Sequence, residues 1–104
     1  MKLHVLKGND CTLYCFYCPG CRREHPFTVR SDGKHPAWTF DGNLESPTFS
    51  PSLRVLDGWG GTECHLFLRA GKIEYCADSR HEFAGKTIDL PDWKPYEEYN
   101  PNED

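Results

Sequence analysis

Long helical patterning is missing from this chain of 104 residues. No stretch repeats apolar residues at spacings of three and four over several turns, which excludes a helical bundle. No apolar run approaches the length of about 18 residues that crosses a bilayer, so no membrane span is expected. Basic excess is missing too. Outside the last thirteen residues, "DWKPYEEYNPNED", eleven acids face eleven bases, and a neutral body carries no electrostatic footprint for DNA or RNA. The opening "MKLHVLKGND" is too short and too polar for a signal peptide, which points to a reducing cytoplasm. Hydrophobicity is itself scarce: a mean hydropathy of −0.71 implies a thin core that gains from a staple.

Turn residues and short alternating runs fill the space instead. "KLHVLK", "TLYCFY", "HPFTV" and "AWTF" read as strands separated by Gly- and Asp-rich turns. "LESPTFSPSLRV" is extended, because its two prolines exclude helix and push the preceding Ser46 and Ser50 towards β geometry. "ECHLFLRAGKIEYCAD" is a hairpin with Ala70-Gly71 as its two-residue turn. That register places Leu66, Leu68, Ile73 and Tyr75 on one face with Cys64 and Ala77, and sets His65 opposite Cys76 on the other. "DSRHEFAG" carries the one helical signal: Ser79 and Glu82 form a capping-box pattern and Gly85 a stop. "KTIDLPDW" closes the set as a last strand. The expected class is mostly β (small α+β), with zinc-stapled antiparallel hairpins and one short helix. Residues 1–93 form a single zinc-binding domain, and 94–104 an acidic, flexible tail.

Cysteine is the residue in surplus, six in all, four of them within residues 11–21. "CPGC" at a hairpin tip is a zinc-knuckle sequence: Pro19 and Gly20 shape a tight turn on which two thiolates converge. A thioredoxin-like redox pair is the weaker reading, since that motif opens a helix and here Pro26 follows almost at once. Zn2+ needs more ligands than Cys18 and Cys21 supply. Cys64 and His25 are the expected completion, with His65 and His81 as further candidates. Cys11 and Cys15 read as small buried strand residues.

The two ends of the long hairpin bring "ECH" and "DSRH" together, so His65, Asp78 and His81 are expected to share one patch suited to acid–base chemistry or metal ligation. The plain alternative is that Asp78 caps the short helix and His81 is polar surface. "SPTFSPS" offers hydroxyls on a proline-stiffened backbone: Ser50 or Ser52 as nucleophile, His65 or His81 as base, Asp78 as orienter.

The motifs, in order, resemble a small bacterial and phage family: "CPGC" with His25 close behind, "WTFDGN", "PTFSPS", "CHLFLRAGKI", "DSRHEFAGKT" and "LPDW". The resemblance runs from about residue 14 to residue 93. Members are often labelled "ammonia monooxygenase", a label this chain does not fit, having neither a membrane span nor a copper-type histidine array. Related domains accompany bacterial ubiquitin-like conjugation genes, and the resemblance implies a peptidase acting on a ubiquitin-like tail. The chain departs from the family at two places: Arg22 stands where Gly usually follows the knuckle, and Ser79 where Cys is usual.

Two mechanisms follow for a peptidase or isopeptidase. One is acyl transfer by serine; the other is metal-assisted hydrolysis, with His25, His65 or His81 on an open zinc. A non-enzymatic reading stands beside them: a zinc-stapled module docking a protein partner through Trp38, Phe40, Trp59 and Trp93.

Overall fold

The computed structural model describes residues 2–30 and 37–93, so the 94–104 tail and His35 lie outside the described residues. Strands β1 (His4–Lys7), β2 (Cys11–Cys18) and β3 (Arg23–Arg30) make one antiparallel sheet. Strands β4 (Thr39–Phe40) and β5 (Phe49–Ser50) make a second. Strands β6 (Leu53–Leu56), β7 (Thr62–Arg69), β8 (Lys72–Tyr75) and β9 (Thr87–Asp89) make a third, in that order.

Aromatic side chains join the first two sheets, and aliphatic ones bring in the third. Phe27 of the first stacks on Phe49 of the second at 4.3 Å between centroids, and Phe40 lies on the same Phe49 ring at 4.6 Å. Phe16 stacks on Phe27, and the buried row Leu66, Leu68 and Ile73 of the third sheet completes the cluster. Each fully buried side chain of this kind contributes about 1.5–3 kcal/mol, which is how a polar chain assembles a core from few residues.

The β7–β8 hairpin has the register its two-residue turn dictates: Arg69 pairs with Lys72, Leu68 with Ile73 and Leu66 with Tyr75. Ala70 and Gly71 both take positive φ, as such a turn demands. Leu66, Leu68, Ile73 and Cys64 are fully buried on one face, while His65 and Cys76 lie half-buried on the other. Ala77 departs from the expectation. It is exposed, because pairing ends at Tyr75 and the alternation with it.

The expected short helix is absent; among the described residues there is no helix at all. Residues 77–85 form successive turns, closed by Ser79 N–H to Cys76 O, Ala84 N–H to His81 O and Lys86 N–H to Phe83 O. The capping box fails because its hydroxyl is taken. Ser79 Oγ accepts from the His65 N–H at 3.0 Å and donates to the His65 carbonyl at 2.9 Å. Arg22 holds φ of 60°, the left-handed geometry that glycine adopts freely. A non-glycine residue in that geometry costs about 1–2 kcal/mol.

Candidate active site and metal cluster

Strand β7 organises both groups of candidate residues, because consecutive side chains of a strand point to opposite faces. Cys64 enters the interior and His65 the outer face.

On the inner side, β2 ends at Cys18, the Pro19-Gly20 turn delivers Cys21, and β3 returns with His25 opposite Phe16. Cys64 arrives from the third sheet. One ligand atom from each of Cys18, Cys21, His25 and Cys64 lies within 4.8 Å of the others, a grouping that could hold a metal ion. The Cys18 and Cys64 sulfurs are 4.0 Å apart, close to the edge of about 3.8 Å that two thiolates span on a tetrahedral zinc with 2.3 Å bonds. His25 Nε2 is buried without a hydrogen-bond partner, an orphan that costs about 1–3 kcal/mol unless something accepts its lone pair. Three thiols and an imidazole with one unpartnered ring nitrogen are a donor set that fits a thiophilic divalent ion.

The electrostatics of the cluster lead the same way. A hydrogen bond from Cys64 holds the Cys18 thiol down to about 3, against the effect of its burial. Burial, then the charge on Cys18, pushes Cys21 up to about 12. Cys64 is likewise raised, first by its hydrogen bond to Cys18 and then by burial. One negative charge is thus stabilised and further ones resisted, and a cation among the sulfurs removes that resistance.

Two further side chains buttress the sulfurs. Tyr75 Oη donates to Cys18 Sγ at 3.1 Å. His81 lies edge-on to Tyr75, and its Nδ1 accepts from the Phe83 N–H at 3.2 Å. The ring proton is therefore on Nε2, which donates to Cys64 Sγ at 3.3 Å. Gly20 is required here, since a Cβ at that position would run into the His81 ring. His81 thus belongs with the sulfurs: Nε2 is engaged by Cys64 and Nδ1 by the Phe83 N–H, and it does not join His65 and Asp78 in one patch.

On the outer side, Leu53 pairs with Leu66 and Arg54 with His65, so Ser52 is the diagonal neighbour of His65 across the β6–β7 ladder. Ser52 Oγ is 3.1 Å from His65 Nε2. His65 Nδ1 is 3.2 and 3.3 Å from the two Asp78 oxygens. Hydroxyl, imidazole and carboxylate form one continuous line. Ser50 stands outside it, on β5 opposite Thr39, with a cis peptide bond to Pro51 between the two serines.

The line is held from behind. The Trp38 indole N–H donates to the Ser52 carbonyl at 3.1 Å, and the Ser79 hydroxyl bridges the His65 backbone. Cys76 N–H donates to the His65 carbonyl at 2.8 Å, which ties the turn carrying Asp78 to β7. Sequence reasoning misses Trp38 as a support, because its partner is fourteen residues away across a loop. It misses the Ser79 bridge because the capping-box pattern offers that hydroxyl a local use.

A serine hydroxyl bonded to an imidazole that is itself bonded to a carboxylate is the arrangement of serine hydrolases. The family model described as bacterial ubiquitination-like system serine protease (BubE) matches residues 1–76. The chain belongs to that family. The match takes in Ser52, His65 and all four members of the thiol–imidazole cluster, and Asp78 follows two residues after its end. No curated protein and no solved structure matches the chain.

Proposed function

We propose that the chain is a serine peptidase acting on the extended tail of a ubiquitin-like protein, with a structural zinc ion beneath its active site. The observation that carries the reading is the unbroken contact from Ser52 Oγ to His65 Nε2 and from His65 Nδ1 to Asp78.

Chemistry follows from the three positions. Asp78 holds the imidazole with its proton on Nδ1, leaving the Nε2 lone pair towards Ser52. As Ser52 Oγ attacks a peptide or isopeptide carbonyl, its proton passes to Nε2, and the same nitrogen returns it to the departing amine. Water, activated by the freed imidazole, then releases the acyl group from Ser52. The family's description supports a serine protease of a ubiquitination-like system; the ubiquitin-like tail is the substrate the sequence resemblance implies.

Cys18, Cys21, His25 and Cys64 would hold the zinc. Ligands drawn from both the first and the third sheets would let such an ion staple the two together. Metal-assisted hydrolysis at this cluster is disfavoured by burial: Cys18, Cys64 and His25 are 0, 0 and 3 % exposed, leaving substrate little access to an ion among them. The binding-module reading has exposed Trp59 in its favour, but gives no role to an aligned serine, histidine and aspartate.

The test is labelling with a fluorophosphonate probe, read by mass spectrometry. Ser52 should carry the adduct, Ser52→Ala should carry none, and both proteins should contain equal metal. A folded, metal-loaded wild type left unlabelled at Ser52 would remove the serine mechanism.

A further inference from the structure

The Cys76 thiol has no part in either arrangement above, yet it lies beside the outer one. One ring nitrogen of His65, the Cys76 sulfur and one Asp78 oxygen lie within 4.8 Å of one another. Backbone hydrogen bonds hold the three residues beside one another. Cys76 N–H is bonded to the His65 carbonyl, and Ser79, just beyond Asp78, is bonded to both backbone groups of His65. The Cys76 thiol is free and half-buried, and the Asp78 side chain is 53 % exposed, so the position opens to solvent on one side. This lies on the face of β7 opposite Cys64.

We infer that His65, Cys76 and Asp78 form a second, solvent-open site for a thiophilic divalent cation of the zinc class, and that filling it switches the peptidase off. One sulfur, one nitrogen and one oxygen donor with water in the fourth place make the composition of an open tetrahedral zinc site. The Cys76 proton leaves to solvent as the thiolate binds. A cation takes the Nδ1 lone pair only once the ring's single proton has moved from Nδ1 to Nε2, where it faces Ser52 Oγ. That nitrogen can no longer accept the serine proton, and Asp78 is drawn from imidazole to metal. The metal site stands on its own geometry; the switch rests on the serine mechanism proposed above.

Protein whose buried cluster is already loaded with zinc is titrated with Co2+, and then separately with Zn2+. Wild type should bind one further equivalent with a thiolate-to-cobalt charge-transfer band, and alkylation of Cys76 should slow when it is filled. Cys76→Ala and Cys76→Ser should bind the first equivalent and not the second. In parallel, Ser52 labelling of wild type should fall by about 10²-fold or more on filling the second site, the scale of losing a general base. A brief chelator treatment that spares the first equivalent should restore it. In the Cys76 variants the ratio of labelling with and without added metal should be one. No second equivalent in wild type, or an equal one in both Cys76 variants, overturns the site. A second equivalent through Cys76 with labelling unchanged overturns the switch. Absence of labelling under every condition condemns the serine mechanism, and the cobalt titration then decides the site alone.

Discussion

Cys64 and His65 are adjacent in sequence, and the groups they serve are built on opposite terms. The Cys64 side is dry, crowded with sulfur and hydrogen-bonded from Tyr75 and His81. The His65 side is half-exposed, with the imidazole side chain 26 % and the Asp78 side chain 53 % accessible. A closed interior suits an ion that never leaves, because thiolates out of water have no better partner than the metal. An open surface suits turnover, since substrate must arrive and water must follow. The price is that the His65–Asp78 contact is screened, so the carboxylate contributes orientation more than charge.

Four substitutions sharpen this contrast. The largest effect belongs to the inner side. Cys18→Ser, or prolonged chelation, should release the metal and unfold the domain, with a loss on the order of 10 kcal/mol of apparent binding free energy. Metal analysis and a thermal melt check it together; a melt unchanged after complete metal removal would show that the sulfurs staple nothing.

Next comes the outer side. His65→Ala should lower peptidase activity by about 10²–10⁴-fold, with the metal retained. Asp78→Asn should cost less than His65→Ala, because its exposed carboxylate is screened by water. Rate measurements at saturating substrate, beside the metal content of each variant, decide between this order and its reverse.

His81→Ala has the smallest expected effect and is the sharpest for the boundary between the two sides. Loss of its N–H to Cys64 Sγ should weaken metal affinity by about 10–100-fold, the usual cost of a lost outer-shell bond. Activity of the metal-saturated variant should stay near wild type. A competitive chelator titration reads the first, and a rate at excess zinc the second. A collapse of activity with metal affinity intact would move His81 to the outer side.

Much of this arrangement is legible in the sequence where local rules govern. Ala70-Gly71 sets the hairpin register, and the register alone separates Cys64 from His65 and places Asp78 near the latter. The Pro-Gly turn brings Cys18 and Cys21 together, and the returning strand carries His25 behind them. What is not legible depends on partners distant in sequence or on competition between them. Ser79 is a plausible cap until the His65 backbone claims its hydroxyl. His81 is three residues beyond Asp78 but is turned inward by a chain of tight turns that has no helical period. The choice between Ser50 and Ser52 depends on β6 pairing with β7 from Leu53 onward, which alternation alone does not fix in so short a run.

Trp38 gives the molecule a built-in optical probe. Its indole N–H is bonded to the carbonyl of Ser52, whereas Trp59 is 91 % exposed and Trp93 packs on His4 with centroids 4.3 Å apart. Indole emission shifts with the strength of the hydrogen bond at its nitrogen. Once Trp59 and Trp93 are exchanged for phenylalanine, the remaining fluorescence reports on the backbone of the nucleophile. Each acylation of Ser52 that tugs its carbonyl then becomes visible in real time, without a label on the substrate.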